Sequence, residues 1–221
     1  VMDQIEQFTG EMLVCGLLSA LLQKQPDKAR LQAWMDEDIF SESPLGEDQA
    51  DINKGLALLQ AWRRDVWVAN PDQAFEAVES DYMRLFVGMG RMLAAPWESI
   101  YFSEEQQLFQ EETLQVRAWY RKFGLQVEQL HHEPDDHIGL ELGFMAYLAQ
   151  LTVQALEQGD QAQAASLMAE QRAFVEEHPL RWVASWCALV DQHARTDFYR
   201  GAAFLTLGTV QEVASILQTA G

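Results

Sequence analysis

Positive charge is scarce in this chain: 15 Lys and Arg stand against 34 Asp and Glu in 221 residues, a formal net charge of −19. A nonspecific nucleic-acid binder needs a basic face, so that class is excluded. The acids outnumber the bases in every quarter of the chain and form no separate tail. Such a field favours solubility and draws in cationic ligands. Cysteine is also scarce. Cys15 and Cys187 each lie within an apolar helical run, which argues against a disulfide framework or a cysteine zinc site and fits buried thiols in a reducing compartment. The six prolines all fall between stretches of helical periodicity. No run of alternating β-branched residues bounded by turns occurs, so strand architectures find no support. Long apolar runs are missing too. The longest, 12–22, would make a helix of about 16 Å against roughly 30 Å of hydrocarbon. Asp3, Glu6 and Glu11 precede it where a signal peptide carries basic residues. No glycine-rich phosphate loop, nucleophile elbow or Cys-His signature appears.

What the chain does have is apolar bulk, at 48% hydrophobic with 7 Trp and 11 Phe. That composition excludes disorder and suits one all-α domain over residues 1–221. The apolar spacing predicts helices over about 3–24, 29–36 and 48–68. A fourth starts with Pro71 at its first position and stops before Gly88. Residues 88–102 then read as a long connection. Ser103 with Gln106 three residues on is a capping-box pattern for the next helix, which Gly124 is placed to end. A connection over 125–134 leads into a helix over about 135–158, with Asp135 and Asp136 complementing its positive end. Further helices are expected near 161–177, 180–194 and 197–219, giving nine or ten in all.

The densest polar cluster is His131-His132-Glu133-Pro134-Asp135-Asp136-His137. Pro134 separates His132 from His137 and breaks any shared helical face, so the spacing is not that of a zinc protease. Only Glu128 to His131 fits a Glu-x-x-His element, where a di-iron bundle needs two. Helix capping by the two aspartates and an imidazole bonded across a loop are the plainer expectations. A second unusual stretch runs from Tyr82 to Gly88 and on through Ala95-Pro96-Trp97-Glu98-Ser99-Ile100-Tyr101, where a helix end and a loop both carry large apolar side chains. Trp97 and Tyr101 could seal the core beneath that loop. Alternatively the stretch forms a groove for an apolar peptide, with Met83, Met89 and Met92 as adaptable lining.

Three ordered blocks, Tyr82-x-x-Leu85-Phe86-Val87-Gly88, Pro96-Trp97-x-Ser99-Ile100-Tyr101 and Glu133-Pro134-Asp135-Asp136-His137-Ile138-Gly139, resemble the TorD/DmsD family of molybdoenzyme maturation chaperones. The resemblance extends through His178-Pro179-Leu180, Trp182 and Asp197-Phe198-Tyr199-Arg200, covering roughly residues 75–205. The first 70 residues match only in helical character. The resemblance implies the family's all-α fold. It also implies a cytoplasmic chaperone that binds the twin-arginine signal peptide of a molybdopterin oxidoreductase of the dimethyl sulfoxide or trimethylamine N-oxide reductase type, delaying export until cofactor insertion and folding.

By the same resemblance, Leu85, Phe86, Pro96, Trp97, Asp136 and His137 bind the peptide, flanked by Tyr82, Ser99, Tyr101 and Glu133. Leu85, Phe86 and Trp97 would supply apolar contacts, and Asp136 and Glu133 would attract the basic end. The partners implied are that peptide and the apo form of the reductase, with no nucleic acid and no stable membrane insertion. The chain would be a monomer or a domain-swapped dimer exchanging helices through a hinge at 125–134. No catalytic residue, metal or tightly bound cofactor is expected, with weak contact to a guanine nucleotide or the molybdenum cofactor as the remaining ligand expectation. The rival expectations are a helical module that binds the mature apoenzyme core and, further off, a weak nucleotide hydrolase. This chain has Ala95-Pro96 where many members have two prolines, and Tyr82 and Tyr101 where some relatives have Trp. Both are amphipathic aromatics, so altered partner preference is expected and not lost binding. The charge agrees with the implied ligand, because a peptide that joins a basic to an apolar segment needs an apolar cleft with negative charge nearby.

Overall fold

The computed structural model describes residues 2–88, 92–103, 110–126 and 134–219. Among them are ten α-helices and no strand, as the periodicity implies: α1 (Met2–Leu22), α2 (Lys28–Asp36), α3 (Ala50–Trp62), α4 (Pro71–Tyr82), α5 (Ser99–Phe102), α6 (Glu111–Lys122), α7 (Ile138–Glu157), α8 (Gln161–Glu177), α9 (Pro179–His193) and α10 (Asp197–Thr219). Local chemistry sets many of their ends. Asn70 accepts a hydrogen bond from the Gln73 amide and Pro71 fills the first turn of α4, where a missing N–H costs nothing. Gly88, Gly124 and Gly159 take left-handed φ values of 67°, 72° and 73° at chain reversals.

Two helices run on past their α-helical ends. Arg63–Trp67 continues α3 and Met83–Val87 continues α4, each as a single π-helical turn, so the expected spans 48–68 and 71–87 hold with a wider last turn. The connection expected over 88–102 contains the short helix α5. Ser103 closes α5 in extended conformation and does not begin the next helix, while Gln106 lies outside the described residues. The helix expected from 135 starts at Ile138, because Asp135 and Asp136 occupy a turn and His137 is its N-cap.

Helix α7 and helix α10 form the centre. Phe144, Met145 and Leu148 of α7 and Phe198, Ala202 and Val210 of α10 are buried in a hydrophobic cluster that also takes Phe8, Leu59, Phe174 and Trp186 from α1, α3, α8 and α9. Helix α3 lies against α10 at close range. A Cβ on Gly55 would sit 2.5 Å from the Leu205 nitrogen, and one on Gly208 would sit 2.5 Å from the Ile52 nitrogen. Only a hydrogen atom fits there, and that lets the two backbones approach.

Helix α1 packs along α7 and is, at 21 residues, about 31 Å long. Its segment Asp3–Leu22 is thus long and apolar enough to cross a membrane by length and composition, which the shorter run 12–22 is not. In the fold, however, Phe8, Cys15, Leu18 and Leu22 are buried against the core. The fully buried Glu11 accepts a hydrogen bond from Gln171, and burial pushes its carboxyl well above the usual range.

Candidate functional site

Main-chain pairing joins the second and third sequence blocks and ties the first to the residues just ahead of the second. The Ala94 amide donates to the Leu85 carbonyl (3.0 Å), the Ile138 amide to the Pro96 carbonyl (2.8 Å) and the Glu98 amide to the Asp136 carbonyl (3.0 Å). Trp97 and His137 form an isolated antiparallel bridge, with their rings edge to face at 5.5 Å. Segments nearly forty residues apart in sequence are therefore held as one unit.

Most of the expected peptide-binding side chains lie inside this unit. Leu85 and Ser99 are fully buried, and Phe86 and Tyr82 are nearly so. Phe86 stacks on Trp186 at 6.1 Å and meets Tyr82 and Tyr199 edge-on at 5.3 Å each. Helices α9 and α10 thus already occupy the faces that were expected to hold an apolar peptide. Pro96 is buried as well, while Trp97 and Tyr101 are half-buried. The Tyr101 hydroxyl donates to the Ala95 carbonyl at 2.9 Å, its ring lies 5.1 Å from that of Trp182, and burial raises its phenol pKa. Nearby in sequence, Met83, Val87 and Phe102 are the large apolar side chains exposed among the described residues.

The carboxylate expected to attract a basic peptide end is committed internally. Asp136 is fully buried; one oxygen accepts from the Ser99 amide and the other from the Thr113 hydroxyl, both at 2.8 Å. Asp135 accepts from Arg117 at 2.6 and 3.0 Å, and its carbonyl accepts from the Tyr120 hydroxyl. His137 Nδ1 accepts from the Gly139 amide at 3.0 Å, so its proton sits on Nε2. Burial pushes its pKa down to about 3, and the ring is neutral at pH 7. The aspartates therefore hold a turn and the histidine caps α7, where the sequence suggested that the aspartates would cap. Glu133, His131 and His132 lie outside the described residues, as does most of the 125–134 connection. Among the described residues no group of three or more His, Cys, Asp or Glu could hold a metal ion.

Further polar residues support the unit without having been singled out as site residues from the sequence. Asp81, nearly fully buried, accepts from the Arg195 amide, the Thr196 amide and the Thr196 hydroxyl at 2.9 Å each, and from Arg84 at 2.6 Å. Arg84 also donates to the His193 carbonyl, which ties the π-turn of block one to the α9–α10 junction. Asp81 is one of four acids on α4, and the one local signal that marks it is Arg84 three residues on. The others are Glu98, Glu141 and His178. His178 Nδ1 lies 2.8 Å from Glu98, and the Trp182 indole donates to Glu141 at 3.2 Å. Glu98 and Glu141 are in side-chain hydrogen-bond contact; burial first, then each other's charge, raises the Glu141 carboxyl well above the usual range, and burial raises that of Glu98.

The model of the family described as nitrate reductase delta subunit matches residues 46–188. A chaperone protein TorD of Vibrio vulnificus (strain YJ016) is 32% identical over 204 residues, 91% of this chain and 92% of its own length. A probable Tat proofreading chaperone DmsD of Haemophilus influenzae is 28% identical over 135 residues, 61% of this chain and 59% of its own. A Tat proofreading chaperone DmsD of Salmonella typhi is 37% identical over 75 residues, 34% of this chain and 37% of its own.

Proposed function

The chain belongs to the nitrate reductase delta subunit family and, within it, to the TorD/DmsD chaperones, and from that membership we propose that it is a maturation chaperone for an exported molybdopterin oxidoreductase. It binds the twin-arginine signal peptide of the apoenzyme and delays export until the cofactor is inserted and the enzyme is folded. The observation that carries this reading is the main-chain pairing of the second and third family blocks, Pro96 to Ile138 and Glu98 to Asp136, with Leu85 of the first block bonded to Ala94 just ahead of the second. An incidental resemblance would give no reason for those blocks to meet.

In this reading Tyr82, Leu85, Phe86, Pro96, Ser99, Asp136 and His137 hold the receptor in shape from within. Trp97 and Tyr101 offer their half-exposed edges to the peptide, and Glu133 contributes charge. Burying about 500 Å² of apolar peptide surface gives roughly 12 kcal/mol gross at about 25 cal/mol per Å². Ordering a flexible peptide and losing its rigid-body freedom takes back several kcal/mol, which leaves an affinity near micromolar, or about −8 kcal/mol. That strength suits a holder that must release. The chain acts in the cytoplasm without catalysis or membrane insertion, as a monomer or through helix exchange at 125–134. It has no resident cofactor, and any guanine nucleotide or molybdenum cofactor contact is weak.

The test is retention of a folded reporter protein carrying a twin-arginine leader on immobilised chain. Retention that disappears with the leader supports the reading. Equal retention of leaderless aporeductase and no retention of the reporter contradicts it.

A further inference from the structure

Arg181 is held differently from the other arginines beside the three blocks. Arg84 and Arg117 each meet a buried aspartate, Asp81 and Asp135, at 2.6 Å. Arg181, in the first turn of α9, has a side chain 44% exposed, and it donates to the Glu177 carbonyl at 3.1 Å. Its guanidinium lies 4.2 Å from the centre of the exposed Phe102 ring and stops 3.9 Å from Glu98 Oε1.

The place it covers suits a guanidinium and is loosely filled. Glu98 is fully buried. Its Oε2 lies 2.8 Å from His178 Nδ1, whereas Oε1 accepts no hydrogen bond from a nitrogen of the described residues. Burial raises the Glu98 carboxyl, while His178 and Arg181 favour its ionised form. A carboxylate beside an aromatic face is what a planar guanidinium pairs with and stacks on. At 3.9 Å Arg181 makes the stack and falls short of the hydrogen bond. Glu98 and Phe102 also share one short segment with Trp97 and Tyr101, whose half-exposed edges the proposed function offers to the leader.

We propose that Arg181 is an internal stand-in for a leader arginine: it covers the seat made by Glu98 and Phe102 in the free chain, and one arginine of the leader displaces it. The inference rests on the proposed function and concerns the regulation of that site. An occupant that must be expelled lowers apparent affinity by the fraction of time the seat stands open, so a seat open about one-fifth of the time weakens binding about fivefold. The stand-in also sharpens selection. A ligand whose cation cannot both pair with the carboxylate and stack on the ring gains too little to expel Arg181, which sets arginine above lysine.

The experiment titrates full-length chain and the variants R181Q and R64Q with a synthetic twin-arginine leader, and with the same leader carrying glutamine for both arginines. Arg64, exposed and paired with Asp65 on the π-turn that continues α3, loses the same charge and so reports any general gain from a more negative chain. R181Q is expected to bind the leader about fivefold tighter than the parent, with R64Q within about twofold of the parent at physiological salt. The glutamine leader should bind the parent and R181Q equally, and adding F102A to R181Q should erase the gain. Melting temperature confirms that each variant folds. If R181Q does not, R181K carries the test, because lysine lacks the flat fork and competes less well; about twofold tighter binding is then expected. Leader binding by the Arg181 variant that is equal to or weaker than the parent's, or a gain that R64Q or the glutamine leader shows equally, overturns the stand-in and leaves the proposed function standing. A leader bound by neither the parent nor the Arg181 variant overturns both.

Discussion

Replacing Asp136 with alanine removes one carboxylate from two buried donors, the Ser99 amide and the Thr113 hydroxyl, each 2.8 Å from an oxygen. Hydrogen bonds to a charged group contribute about 1.5–3 kcal/mol each, and their loss leaves two donors buried without partners. Asp136→Ala should therefore cost about 3–6 kcal/mol, a large part of the stability of a domain. Urea unfolding followed by far-UV circular dichroism reads this directly: with a slope near 2.5 kcal/mol per M, the midpoint falls by about 1.2–2.4 M. Asp136→Asn is the control. Its carbonyl still accepts from Ser99, and its amide can donate to Thr113 once that hydroxyl turns, so the loss should stay near 1 kcal/mol. A midpoint shift below about 0.4 M for Asp136→Ala, which is about 1 kcal/mol at that slope, together with a lost leader affinity, would refute the reasoning and return Asp136 to the peptide surface.

Burial keeps His137 neutral, with its pKa at about 3 against an ordinary 6.5. The unfolded chain binds more protons at that position between those values, so stability is full above pH 6.5 and falls toward pH 3 by up to about 1.4 kcal/mol per unit. Glu141 acts in the opposite sense. Burial holds its carboxyl well above 4.5, so its contribution is full below pH 4.5 and is lost as pH rises toward the raised value. Glu141→Gln, which can keep the bonds to Trp182 and Glu98, should flatten the decline in melting temperature between pH 5 and 8, and an unchanged decline counts against a protonated Glu141. Gly55→Ala gains about 1 kcal/mol of helix propensity but forces a Cβ within 2.5 Å of the Leu205 nitrogen. Overpacking should win and leave a net loss of about 2 kcal/mol, and a raised melting temperature would show that α3 and α10 can part without cost. Trp97→Ala should weaken leader binding at least tenfold with helicity retained, whereas a matching loss of helicity assigns Trp97 to the core.

Helix ends were legible in the sequence where one residue decides them: Pro71 and Pro179 at starts, Gly88, Gly124 and Gly159 at ends. The π-turns at 63–67 and 83–87 were not, because widening a last turn leaves no local pattern in residue type. The start of α7 was misplaced by three residues for a non-local reason. Asp135 is drawn into the turn by Arg117, 18 residues upstream, and the cap passes to His137. The site shows the same division. Its blocks could be read as blocks, but Phe86 packs on Trp186 and Tyr199, about a hundred residues away.

The central claim, that this chain recognises a twin-arginine leader, is tested most directly by isothermal titration with three synthetic peptides: the leader, the leader with both arginines changed to glutamine, and the leader with its apolar segment made polar. The account predicts micromolar binding of the first, weaker binding of the second and none of the third. Equal binding of all three, or of none beside tight binding of a leaderless apoenzyme, would contradict it.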